Sequence, residues 1–118
     1  MLLSDLLPAT IAWHPADGDL VLLAVVESDL AVAETVLATL PAKTRGQVFV
    51  EVDSVPEGAT LAAPGRVCVT WLGRDRGQSL RTAVEAWMAE MLPVQADREH
   101  RVYAWISGQP AAQLVTSN

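Results

Sequence analysis

Residues 20–40, LVLLAVVESDLAVAETVLATL, determine the fold of this chain. Seven consecutive apolar residues are followed by a polar turn at residues 27–29, and then by apolar residues at helical spacing. An uninterrupted apolar run is typical of a strand buried on both faces, and such strands occur in parallel sheets covered by helices. The segment therefore predicts a strand over 20–26 that leads directly into a helix, with Ser28 as the expected N-cap.

The rest of the chain continues this alternation of strand and helix. Apolar and β-branched residues predict strands over three further segments: 47–52, 67–72 and 102–106. An amphipathic pattern predicts a second helix over 79–92, which Pro93 is expected to end. Residues 53–66 contain two prolines and two glycines and predict an irregular crossover. This order of elements indicates an α/β domain with a parallel sheet and right-handed crossovers.

Composition and charge limit the functions that are open to the chain. Its 118 residues are expected to form one domain, in which residues 1–19 are a lead-in segment. A net charge of −6 without a Lys/Arg cluster argues against nucleic-acid binding. No apolar run reaches the ~18–20 residues of a membrane span, and no signal peptide is evident, so we expect a cytoplasmic location. The one cysteine, Cys68, lies in an apolar run and is expected to be buried.

The sequence lacks the common signatures of catalytic and metal sites. No glycine-rich phosphate-binding motif or nucleophile elbow occurs, and neither His14 nor His100 has a partner at metal-ligand spacing. We therefore nominate no catalytic residue and no metal site.

Polar turns follow the predicted strands, and these turns are the candidate ligand site. In an open parallel sheet the carboxyl ends of the strands border one crevice, where ligands bind. An arginine there could bind a phosphate in bidentate fashion, a serine could donate its hydroxyl, and a glycine would let a ligand approach the backbone. Alternatively, each strand simply ends in polar turn residues. The candidate cofactor-binding residues are Glu27, Ser28, Trp71, Arg74, Gly108 and Gln109.

Five segments, read in order, resemble the C-terminal, nucleotide-binding domain of the siderophore-interacting proteins. That family is a branch of the ferredoxin–NADP reductase-like flavoproteins that reduce ferric siderophores. Family members typically read E-V, T-W-L-H-R-D-G and Y-A-W-V-A-G-E where this chain reads EV, TWLGRDR and YAWISGQ. The matching segments are residues 23–31, 40–42, 51–52, 70–75 and 103–109. The resemblance implies a Rossmann-like three-layer domain: a four-stranded parallel sheet of order 3-2-1-4 with helices on both faces.

The resemblance also implies a cofactor, NADPH or NADH, and a position for each candidate residue. Glu27 and Ser28 match the phosphate-side turn of the family. Arg74 matches an arginine that in related reductases faces the adenosine 2′-phosphate of NADPH. Gly108 is expected beneath the nicotinamide.

Several positions depart from the family pattern and predict weak nucleotide binding. Val25-Val26 replaces a Gly-Asp pair, and Ala31, Gly73 and Gln109 replace a proline, a histidine and a glutamate. A pyrophosphate would therefore meet the carboxylates of Glu27 and Asp29, with no glycine turn to bring the backbone toward it. At ~0.5–1 kcal/mol each, these repulsions would weaken binding roughly 5–30-fold.

Only about 20 residues precede the first strand, so the flavin-binding barrel of the family is expected to be absent and the chain to hold no flavin. Two functions then remain open. The chain contributes NAD(P)H binding to ferric-siderophore reduction together with a separate flavin-binding partner, or it is a degenerate, non-catalytic domain that serves in protein–protein interaction. Without a flavin domain to cover it, part of the apolar surface is expected to remain exposed, which favours a homodimer or a complex with that partner.

Overall fold

Residues 15–95, 102–108 and 112–114 are described by the computed structural model, and they form a five-stranded sheet with a helix on each face. The strands are β1 (Leu20–Val26), β2 (Arg45–Val52), β3 (Arg66–Gly73), β4 (Val102–Ile106) and β5 (Ala112–Leu114). The helices are α1 (Leu30–Thr39) and α2 (Leu80–Gln95), and short 3₁₀ turns lie at Glu27–Asp29 and Arg74–Arg76. Of the predicted lead-in, residues 1–14 lie outside the described residues.

The apolar run of β1 occupies the centre of the sheet. Its neighbours are β2 and β4, both parallel to it, and Leu23 lies opposite Val48 on one side and Trp105 on the other. Every residue from Leu20 to Val25 is buried. β3 continues the parallel pairing beyond β2, so the order across the sheet is β3-β2-β1-β4-β5. The predicted parallel order 3-2-1-4 is therefore confirmed.

The two helices cover opposite faces because β1 is apolar at every position. Val21, Leu23 and Val25 point to the α1 side and pack into one apolar cluster with residues of that helix. Leu22 and Ala24 point to the other side and pack into a second cluster with residues of α2. Burying a valine or leucine side chain stabilises a fold by about 1.5–3 kcal/mol. Since β1 buries side chains on both faces, it joins the two apolar clusters into one core. Among the described residues, no helix has both the length and the apolarity needed to cross a membrane.

The structure adds one strand to the sequence prediction and changes several bounds: β2 begins two residues earlier than predicted, at Arg45, and β3 is one residue longer at each end, Arg66–Gly73. The sheet has a fifth strand, β5, which pairs with β4 in the antiparallel direction. Three residues are too few for a strand to show alternation, so the sequence carried no signal for it. Helix α2 continues past Pro93 to Gln95. A proline costs the helix one hydrogen bond, but its fixed φ is itself helical.

Cys68 is exposed, so the prediction that it is buried was wrong. Side chains alternate along β3: Val67, Val69 and Trp71 pack against the α1-side cluster, whereas Cys68 points to the other face. Helix α2 lies over β1 and β2 on that face and leaves this part of β3 open. The crossover after β2 has no regular structure over its central part, as predicted, and its Leu61 packs on the α1 side.

Candidate functional site

The strand order reverses between β1 and β4, and three hydrogen bonds join the carboxyl ends of these two strands. The backbone N–H of Ser107 donates to the carbonyl of Ala24 at 2.8 Å. The N–H of Val26 donates to Ser107 Oγ at 3.1 Å, and Ser107 Oγ donates to Asp29 Oδ2 at 2.6 Å. We call the bonds of the Ser107 side chain to Val26 and Asp29 the Ser107 clip. It fastens the turn after β1 to the turn after β4, where open parallel sheets place their ligands.

Helix α1 begins next to the Ser107 clip, one residue later than expected. The prediction that Ser28 is the N-cap was wrong because residues 27–29 form a 3₁₀ turn and Asp29 takes the N-cap position. Asp29 makes no side-chain cap hydrogen bond, since its carboxylate accepts a bond from Ser107 instead. Ala31, in the first turn, is exposed. The amino terminus of α1 therefore lacks a side-chain cap from its N-cap residue at the point where the strand order reverses.

Three of the predicted site residues lie in the two turns at this point. Glu27 and Ser28 are exposed in the turn after β1, and Gly108 is exposed in the turn after β4. Gly108 has a φ of +83°, a left-handed conformation that glycine adopts without strain. Gln109 lies outside the described residues. The fold thus brings Glu27, Ser28 and Gly108 to the ends of neighbouring strands.

Arg74 lies two strands away, beyond β2, and is engaged by two carboxylates of the chain itself. Its Nε donates to Glu51 Oε1 at 2.7 Å, and its Nη1 donates to the Asp53 carboxylate. The other oxygen of Glu51 accepts the backbone N–H of Leu80, the first residue of α2, at 2.6 Å. Glu51 therefore occupies the amino terminus of α2 and holds Arg74 at the same time. In the part of the chain that the structure describes, no group of three or more His, Cys, Asp or Glu side chains is placed to hold a metal ion.

These contacts favour the ionised form of Glu51. The hydrogen bond from Leu80, and after it the bond from Arg74, hold the pKa of the Glu51 carboxyl below its ordinary value of 4.5. The carboxylate is 15% exposed, so water screens it only in part. Both carboxylates in turn raise the pKa of the Arg74 guanidinium.

Replacing Glu51 with glutamine is expected to lower the free energy of unfolding by about 1 kcal/mol at neutral pH. A pKa that folding lowers gives stability that is complete above about 4.5 and is lost as the pH falls through the folded-state value. The difference in free energy of unfolding between the parent and Glu51→Gln should therefore disappear in acid. Urea unfolding at neutral pH and at about pH 3 measures it. Glu85→Gln is the control, because its pair with Arg81 is exposed and worth less than ~0.5 kcal/mol. An equal gap at both pH values would contradict the role of the charge.

Trp71, the remaining predicted site residue, is half-buried and packs against the α1-side cluster. It lies on β3, and its side chain points to the face opposite that of Leu72, which packs in the α2-side cluster. The structure thus places Trp71 against the α1-side cluster and not at the ends of β1 and β4.

An open groove of about 610 Å³ lies between α2 and the end of β4. Its apolar lining comes from Leu80, Val84, Met88 and Ile106. Arg81 and Glu85 form one rim, and Ser107 connects the groove to the point where the strand order reverses.

Comparison with known proteins assigns the family. The sequence model for siderophore-interacting proteins matches residues 18–115. The chain belongs to this family. It is 30% identical over 97 residues to the ferric vibriobactin reductase ViuB of two Vibrio cholerae serotype O1 strains, a match that covers 82% of this chain and 32% of the relative. The chain thus spans about a third of the length of these curated relatives.

Two solved structures, one of a siderophore-interacting protein and one of a siderophore utilization protein, have a similar fold. SipS from Aeromonas hydrophila has a TM-score of 0.52 at 17% identity, over 80% of this chain and 39% of that one. A siderophore utilization protein from T. fusca has a TM-score of 0.50 at 22% identity, over 88% of this chain and 50% of that one. At such identities the likeness supports the α/β fold.

Segments that carry the family resemblance contact each other in the fold. Glu51, in the family's E-V pair, forms the ion pair with Arg74 of its T-W-L-H-R-D segment. Ser107, within the Y-A-W segment, binds Asp29 of the first segment. The sequence predicted Asp29 as a first-turn carboxylate that would repel a pyrophosphate, but not its bond to Ser107, and it predicted no role for Asp53 or the Ser107 side chain. Alternation along β2 was the available signal for Glu51, since it predicts that Glu51 and Phe49 share a face.

Proposed function

We propose that this chain is the nucleotide-side module of a ferric-siderophore reductase system. It binds NAD(P)H at the ends of β1 and β4 and acts with a separate flavin-binding partner. The observation that carries the proposal is the amino terminus of α1, which has no N-cap side-chain bond and lies where the strand order reverses. Backbone N–H groups at such a position bind phosphates. The relatives named as ferric vibriobactin reductase support the reaction class.

The residues at this edge fit a dinucleotide in part. The backbone N–H of Leu30 already donates to the carbonyl of Glu27, so the proposal needs the N–H groups that follow it in the first turn of α1, where Ala31 is exposed. The exposed carboxylate of Glu27 opposes a pyrophosphate there, whereas the Asp29 carboxylate is engaged by Ser107. Binding is therefore expected to be weak, with dissociation constants above the low micromolar range.

When bound, the nucleotide would supply a hydride (two electrons with one proton) to a flavin on the partner protein, enough to reduce two ferric ions to ferrous ions with release of one proton to water. The residues of this chain bind and orient the nucleotide and take no part in the transfer of electrons to iron.

Titration calorimetry of the full chain with NADH and with NADPH tests this function. At least one of the two is expected to bind with a dissociation constant below about 1 mM. Glu27→Gln should strengthen binding about threefold, because one repulsive carboxylate is removed. Glu34→Gln, an equal change of charge on an exposed position further along α1, should leave it unchanged. No binding of either nucleotide would overturn the proposed function.

A second candidate function, protein–protein interaction through a homodimer, is favoured by the groove between α2 and β4. The groove is open and largely apolar, and its rim carries Arg81 and Glu85 one turn apart. Across a two-fold axis, each arginine of such a rim can pair with the glutamate of the other copy. Sedimentation at micromolar concentration is expected to give a dimer that dissociates on dilution. A monomer at every concentration would exclude this candidate.

A further inference from the structure

The ion pairs at the ends of β2 and β3 bear on which nucleotide the chain binds. Arg74, the first residue after β3, carries a guanidinium of the kind that binds phosphates. Here its guanidinium donates to Glu51 at 2.7 Å and to Asp53 as well. We call Glu51, Asp53 and Arg74 the β2–β3 cluster. A phosphate approaching Arg74 would have to displace or share two carboxylates of the chain.

The position of these carboxylates matters as much as their charge. Dinucleotide-binding domains of this topology place an acidic residue roughly 20 residues beyond the first turn, at the end of the second strand, where it accepts the hydroxyls of the adenosine ribose. Asp53 is the first residue after β2, and its side chain is 85% exposed. Glu51 is only 15% exposed, and its two oxygens are engaged by Arg74 and Leu80. Asp53 is therefore the carboxylate that a ribose can reach, and Glu51 is a positioning residue that fixes Arg74.

The charge of the cluster opposes a second phosphate. One guanidinium and two carboxylates leave the β2–β3 cluster with a net charge of −1. A 2′-phosphate carries about −1.5 to −2 at neutral pH, whereas a ribose 2′-hydroxyl is neutral and donates a hydrogen bond to a carboxylate.

We infer that the β2–β3 cluster selects NADH over NADPH, with Asp53 accepting the ribose hydroxyls. The inference rests on the proposed function and adds to it the identity of the nucleotide. Because the repulsion is between partly solvated charges, the preference is expected to be about tenfold at low ionic strength and to narrow as salt is added.

The test is calorimetric titration of the full chain with NADH and NADPH in matched buffers. The parent should bind NADH about tenfold more tightly than NADPH. Asp53→Asn removes the carboxylate that faces solvent and leaves Arg74 to bind the phosphate, so the preference should fall to less than about threefold or reverse. The exposure of Asp53 makes this variant safe for folding, which circular dichroism checks. Glu34→Gln should keep the parent's preference.

The outcomes separate this inference from the proposed function. Binding of NADPH as tight as that of NADH by the parent would overturn the inference and leave the proposed function standing. So would a preference that Asp53→Asn leaves unchanged. If neither nucleotide binds, the proposed function fails and the inference is overturned with it.

Discussion

Replacing Val25 with aspartate is expected to lower the free energy of unfolding by more than about 3 kcal/mol. Val25 is 0% exposed in the central strand and packs in the α1-side cluster of apolar side chains. An ionised carboxylate there would lose its water without gaining a partner. Because domains of this size are stable by only about 5–15 kcal/mol, a loss of this size removes a large part of the stability of the fold.

Urea unfolding followed by circular dichroism measures the loss, and two further variants separate its causes. Val25→Ala leaves a small cavity without a charge and should cost about 1–2 kcal/mol. Cys68→Asp puts the same carboxylate on an exposed strand position and should cost less than about 1 kcal/mol. A Val25→Asp variant that unfolds like the parent would contradict the central placement of β1.

Replacing Gly46 with alanine is expected to destabilise the fold by about 2–4 kcal/mol. A Cβ atom at Gly46 would lie 2.1 Å from the carbonyl oxygen of Val21, its partner on β1. The obstacle is backbone in the central strand, so β1 and β2 would have to move apart and lose pairing. Thermal unfolding measures the effect. Gly65→Ala is the matched control, because nothing lies within 4 Å of its Cβ position and its stability should stay within about 1 kcal/mol of the parent's. Equal melting temperatures for the two variants would contradict the close approach.

The fold could be predicted from the sequence largely because β1 leaves few alternatives. A strand that is apolar at every position must be covered on both faces, and the helix predicted by the periodicity of residues 30–40 covers one of them. The burial of Cys68 could not be judged in the same way. Its neighbours are apolar, but whether α2 reaches β3 depends on how far a helix extends over a sheet, and local pattern does not contain that information.

The candidate site was predictable as a set of turns but not as a set of contacts. Parallel pairing brings the turns after β1 and β4 together, so the positions of Glu27 and Gly108 followed from topology. The bond between Ser107 and Asp29 joins residues 78 positions apart and depends on side-chain geometry. Likewise, an arginine after β3 can be recognised in the sequence, but its neutralisation by Glu51 and Asp53 depends on the register between β2 and β3.

The Ser107 clip also has a consequence for how the chain matures during synthesis. The bond from Val26 to Ser107 spans 81 positions, so β4, the second strand that pairs with β1, is synthesised long after β1 itself. At about 5–20 residues per second, the ribosome needs roughly 4–16 s to supply it. Throughout that interval the most apolar strand of the domain has an unpaired edge, and pairings between residues so distant along a chain are slow to form. The nascent chain is therefore most prone to aggregate before residue 107 becomes available for pairing, and chaperones are expected to matter most in this interval.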